Sequence, residues 1–189
     1  MPDQTWSPTN KTLLRNFNPP LLLRPMKRPM TPRGNEALRN ELQKLKAMRP
    51  ELARAIEIAR GHGDLSENGD YDAAKNKSGM VESKIRDLET KLSMAEIIDP
   101  RKIIDPQKVT FGCSVKIEDV DSGDIKTLMI VGSDESDIEK GWISFESPMG
   151  KALIGKEAGD VSRMNLPGGT REYEILEIFI AYEETNSDS

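Results

Sequence analysis

The sequence predicts an α+β chain: an N-terminal antiparallel two-helix coiled-coil hairpin followed by a β-rich domain. Three observations carry this. Apolar residues recur at helical spacing through residues 38–59 and again through 71–95. A glycine-rich acidic turn, residues 61–70, separates the two runs. Beyond residue 108 the apolar period shortens to two, with turn signals between the alternating segments.

Composition limits the function classes. The 189 residues suffice for two small domains, and 36% apolar with 31% charged residues fits a soluble chain rich in exposed helix. The single cysteine, Cys113, excludes an intramolecular disulfide, fits a reducing compartment and reads as a buried, inert thiol. Apolar runs such as Leu21–Leu23 are too short for a signal peptide or a membrane span, so a cytoplasmic location and no membrane partner are expected. Net charge is −5, divided into +4 over residues 1–30 and −9 over the rest. An acidic body is a poor autonomous binder of naked nucleic acid, because phosphate neutralisation supplies most of that affinity.

The elements follow in order. Residues 1–30 hold six of the twelve prolines and no steady period, so residues 1–29 read as a flexible leader, and a misassigned start codon would explain them. Thr31-Pro32 then reads as an N-cap with proline at the first helical position. Leu38, Leu42, Leu45, Leu52, Ile56 and Ala59 form the first seam, with Arg49 at the skipped position. Pro50 removes a hydrogen bond, yet the phase carries across it, which predicts one bent helix ending at Arg60 with Gly61 as its stop. Tyr71, Ala74, Ser78, Val81, Ile85, Leu88, Leu92 and Ala95 form the second seam. The two pair as a hairpin over residues 30–96, about 40 Å long at 1.5 Å per residue. The twofold Ile-Ile-Asp-Pro of residues 97–107 is a linker, since each Asp-Pro blocks a helix.

Residues 108–183 form the β-rich domain. Val109, Phe111, Cys113, Val115 and Ile117 alternate with polar residues in a first strand, and residues 121–124 turn it into a second at 125–131. Residues 142–146 make a short strand, Ser147-Pro148-Met149 opens a one- or two-turn helix, and residues 161–179 close as a hairpin. Residues 184–189 are expected to be a disordered tail.

The turn GHGDLSENGDYDAA, residues 61–74, holds four carboxylates (Asp64, Glu67, Asp70 and Asp72), the sole histidine, His62, and no Lys or Arg until Lys75. One reading is structural. Asp64 and Glu67 fit a capping box, and carboxylates suit a helix N-terminus. The other is functional. Capping uses one or two carboxylates, and unpartnered acids suit Mg²⁺, a hard ion that takes one or two carboxylates together with water and phosphate oxygens. Arg60, Lys75 and Lys77, just behind the turn, are either solvated helix partners or cations set to meet a phosphate backbone.

The run ARGHGDLSENGDYDAAKNKSG, the MTPRG helix start, IIDP after the hairpin, SPMGKALIGKEAGD and PGG together resemble the bacterial transcript cleavage factors of the Gre family, over about residues 28–183. The resemblance implies that the β-rich domain is FKBP-like and docks on RNA polymerase at the rim of its secondary channel, through Ser147, Pro148 and Met149. It also implies a monomer whose coiled coil reaches the polymerase active centre. There Asp64 and Glu67 would help hold a second Mg²⁺, bound jointly with the polymerase, while Arg60, Tyr71 and Lys75 contact the site. The expected outcome is cleavage of the 3′ end of backtracked nascent RNA by the polymerase itself, with this chain as a stimulating factor and not an enzyme. The mixed charge of NKSGMVESKIRDLET, residues 76–90, looks GreA-like, since GreB-type helices are strongly basic there. Competing expectations are a channel-binding regulator without cleavage activity, a structural coiled-coil adaptor and an FKBP-like binding module.

Overall fold

The computed structural model describes residues 27–61, 69–166 and 169–182. Two helices run one after the other, α1 over Pro32–Ala47 and α2 over Arg49–Arg60, and both pack against α3, Gly69–Met94. Thr31 caps α1, accepting the Gly34 N–H on its hydroxyl oxygen at 3.1 Å. The single bent helix expected before the turn is therefore two helices. Pro50 lacks the N–H that would continue the ladder, and the break falls at Met48, whose own N–H bonds to Leu45 O at 3.2 Å.

The break leaves the seam intact. Leu38 and Leu88 pack with Met30 near the base, and Leu52, Val81 and Ile85 pack farther out, with Leu42 and Leu45 touching both groups. Ile85 is only 1% exposed, which marks it as the centre of the helix contact. Arg49, at the skipped seam position, is exposed and forms a two-pronged pair with Glu82, at 2.7 and 2.9 Å. That hydrogen bond holds the Glu82 carboxyl below its ordinary value.

Order begins earlier than the sequence suggests. Arg28–Met30 forms β1, parallel to β2 at Ala95–Ile97, so residues 28 and 29 belong to the fold and not to a flexible leader. The proline at position 29 is tolerated because this ribbon has only two strands.

The second half is a five-stranded sheet of order β5-β4-β3-β7-β6. Its members are β3 (Ser114–Asp119), β4 (Ile125–Val131), β5 (Trp142–Ser144), β6 (Val161–Leu166) and β7 (Gly169–Phe179). All neighbours are antiparallel except β4 and β5. The first strand is shorter than its alternation predicts, because Thr110–Gly112 turns and Gly112 takes a φ of 87°. Val109, Val115, Ile117, Leu128, Ile130, Leu153, Met164, Tyr173 and Ile175 make the core. Helix α4, Pro148–Leu153, covers it. A Cβ on Gly150 would overlap the Ser144 carbonyl oxygen, so glycine is what lets α4 lie against the end of β5.

The hairpin base is tied to this sheet. Arg33 donates its backbone N–H to the Tyr182 hydroxyl at 2.7 Å, and its guanidinium stacks 3.7 Å over the Trp142 ring. Asp134 pairs with Arg28 at 3.4 Å and with Lys91 at 3.2 Å. The Lys91 ammonium is raised above its ordinary value, first by its bond to Asp87 and then by Asp134, against the opposing effect of burial.

Candidate functional site

The candidate site has two parts, one at the far end of the hairpin and one at the start of α4. At the far end of the hairpin, α2 finishes at Arg60. Gly61 keeps a right-handed conformation, φ −74°, and bonds to Glu57 O and Ile58 O. The left-handed stop expected of a glycine is thus not used there. The described part of α3 opens with Gly69, and Asp70 and Asp72 lie in its first turn, where carboxylates oppose the positive end of the helix dipole. Asp64, Glu67 and His62 lie outside the described residues. The capping box and the metal reading of this segment therefore both rest on its sequence.

Around that segment, the arrangement is concrete. Arg60 and Lys75 are exposed, and neither forms an ion pair with another described residue. Lys77 is exposed as well. Tyr71 is half-buried in the first turn of α3. Ala55, Ile58, Ala59, Asp70 and Ala74 line an open hollow beside them, and Ile58 is 56% exposed.

The second part is the start of α4. The Ser147 hydroxyl is occupied locally, accepting the Gly150 N–H at 3.0 Å and donating to Ser144 O at 2.7 Å. Met149 packs against the sheet core. Pro148 is exposed. Of the three residues assigned to docking, Pro148 offers the free surface, while Ser147 and Met149 fix how it is presented.

The sequence reading missed the joint between the two parts: Thr31, Arg33 and Arg28 against Glu135, Asp134, Trp142 and Tyr182. Its one local signal is Gly34, standing where a helix start of this kind usually carries Glu or Gln.

Among the described residues no helix is long and apolar enough to cross a membrane, and no group of three or more His, Cys, Asp or Glu could hold a metal ion.

Residues 28–97 match the family model "Transcription elongation factor, N-terminal", and residues 104–179 match "Transcription elongation factor, GreA/GreB, C-term". The transcription elongation factor GreA of Methylococcus capsulatus is 50% identical over 153 residues, 80% of this chain and 97% of that one. GreA of Neisseria meningitidis serogroup A is 50% identical over 151 residues, 79% and 96% of the two chains. Among solved structures, GreA factor homolog 1 (Gfh1) of Thermus thermophilus is 28% identical, covering 80% of this chain and 98% of its own, with a TM-score of 0.37. At that score the placing of hairpin against sheet rests on the contacts given above. With both halves matched in order and half of the residues identical to GreA over most of its length, the chain belongs to the GreA/GreB family of transcription elongation factors and is GreA-like.

Proposed function

We propose that this chain enters the secondary channel of RNA polymerase and stimulates the polymerase's own cleavage of the 3′ end of backtracked RNA. The observation that carries the reading is an acid-only turn at the end of a seam-packed hairpin whose base is tied to the β-rich domain. At 1.5 Å per residue, α1 and α2 together put the end of α2 about 40 Å from that joint. A capping role needs no such reach.

Asp64 and Glu67 offer hard oxygen ligands that suit Mg²⁺ but fall short of its octahedral set. They fit the ion only as partial ligands, shared with the polymerase. A second ion held in this way would clamp the attacking and leaving oxygens of an in-line displacement. Arg60 and Lys75 offset phosphate charge beside the acids. Tyr71 contacts the polymerase active centre beside them. The β-rich domain docks at the channel rim through the Pro148 surface. The polymerase performs the chemistry, and the location that follows is the cytoplasm.

The test is a cleavage assay on stalled elongation complexes. Added protein should release short 3′ fragments far faster than polymerase alone, in a Mg²⁺-dependent way. Polymerase binding without released fragments would replace this reading with that of a channel-binding regulator.

A further inference from the structure

The first helix of the hairpin starts with Thr31-Pro32-Arg33-Gly34. In a capping box, a Glu or Gln at the third helical position reaches back to the backbone N–H of the N-cap residue. Here that position is Gly34, which has no side chain to do so. The carboxylate comes instead from the other domain. Glu135, 104 residues away on the loop after β4, accepts the Thr31 N–H at 2.9 Å and the Thr31 hydroxyl proton. The same Glu135 oxygen that takes the Thr31 N–H accepts the Gly132 N–H, also at 2.9 Å.

Two glycines make the approach possible. A Cβ on Gly34 would overlap the Glu135 carboxylate, and a Cβ on Gly132 would lie 2.6 Å from the Pro29 carbonyl oxygen. Thr31 is wholly buried at this joint, so its N–H and hydroxyl have no water to fall back on. Hydrogen bonds to a carboxylate are shorter and about twice as strong as neutral ones.

We propose that Glu135 is a positioning residue: it completes the capping box of α1 from the β-rich domain and so fixes the direction in which the hairpin leaves that domain. The Arg33 stack on Trp142 and the Asp134 pairs to Arg28 and Lys91 flank the same joint. The hairpin acts as a lever. A swing of about 10° at its base moves a tip about 40 Å away by about 7 Å. Misplacement of about 1 Å can cost a reacting group a hundredfold in rate. The link to cleavage rests on the proposed function; the fixed angle does not.

The test uses the full chain with three variants: Glu135→Ala, Glu135→Gln and Gly34→Glu/Glu135→Ala. The double variant returns a carboxylate to the capping box from within α1, restoring the cap but not the tie. Melting temperature reports the cap. Pulsed dipolar spectroscopy between labels at Ser83→Cys and Lys126→Cys, both exposed positions, reports the angle, and the natural Cys113 is buried and stays unlabelled. Glu135→Ala should broaden the distance distribution and lower cleavage at saturating protein by about tenfold or more, with affinity for polymerase within about twofold. Glu135→Gln, which keeps an acceptor oxygen, should fall between. The double variant should regain melting temperature but neither the narrow distribution nor the cleavage. A narrow distribution in Glu135→Ala, or full recovery in the double variant, would overturn the proposal. If the unsubstituted protein stimulates no cleavage, the proposed function fails, and the distances alone decide the role of Glu135.

Discussion

Arg60 ends one helix and Lys75 stands in the second turn of the next, and each is exposed and free of described ion pairs. Surface charges of this kind contribute roughly 0–1 kcal/mol to folding. In a confined channel beside phosphates they count for more, because water is partly excluded and the effective dielectric falls. Arg60→Ala or Lys75→Ala should therefore weaken cleavage in part while shifting the melting temperature by no more than a few degrees. Excess Mg²⁺ should rescue Asp64 or Glu67 variants better than these two; equal rescue of all four would contradict the division between metal-holding acids and RNA-contacting cations. Asp119 makes a different residue-level prediction. Burial pushes its carboxyl up, but backbone N–H groups of Ser122 and Asp121 and the Arg171 guanidinium outweigh that and hold it below the ordinary 3.8. A depressed carboxyl contributes stability that is present above its unfolded value and lost as pH falls through its folded value. Melting temperature should thus decline as the pH is lowered past about 4, and less steeply in Asp119→Asn. The cap at Thr31 was legible in the sequence because it is local. Its partner Glu135 was not, because a contact across 104 residues leaves no periodic trace.

The hairpin seam was legible almost residue by residue, since a 3–4 spacing has one physical solution, a buried stripe. All eight seam residues of the second run are buried or half-buried on α3 and its exit. What the period could not show is the break at Met48, because apolar phase records which face is buried and not whether every backbone bond is made. The strands were legible as alternation, but Thr110–Gly112 alternates too and yet turns at a left-handed glycine. Ile85→Ala should cost about 2–5 kcal/mol, since it empties the most buried position of the outer seam. Chemical denaturation followed by far-UV circular dichroism measures this; a loss below about 1 kcal/mol would mean the seam is looser than the burial implies. Gly150→Ala should push α4 away from Ser144 and weaken polymerase binding more than the equivalent change at the exposed, uncrowded Gly79. Equal effects would remove α4 from the docking surface.

At the scale of the whole molecule, the proposed function assigns polymerase binding to the β-rich domain and action at a distance to the hairpin. The sheet has its own core, separate from the two seam clusters. A fragment of residues 108–189 should therefore compete with the full chain for polymerase while stimulating no cleavage. A folded fragment that fails to compete would move the docking surface elsewhere. Asp64→Asn together with Glu67→Gln keeps oxygen acceptors for capping but removes the charge a metal needs. The decisive measurement is the rate of 3′ fragment release from backtracked complexes at limiting Mg²⁺, with polymerase affinity and helicity followed in parallel. Release should fall to the level of polymerase alone while affinity and helicity are kept; release at the unsubstituted rate would return the tip carboxylates to a capping role and contradict the metal-holding role.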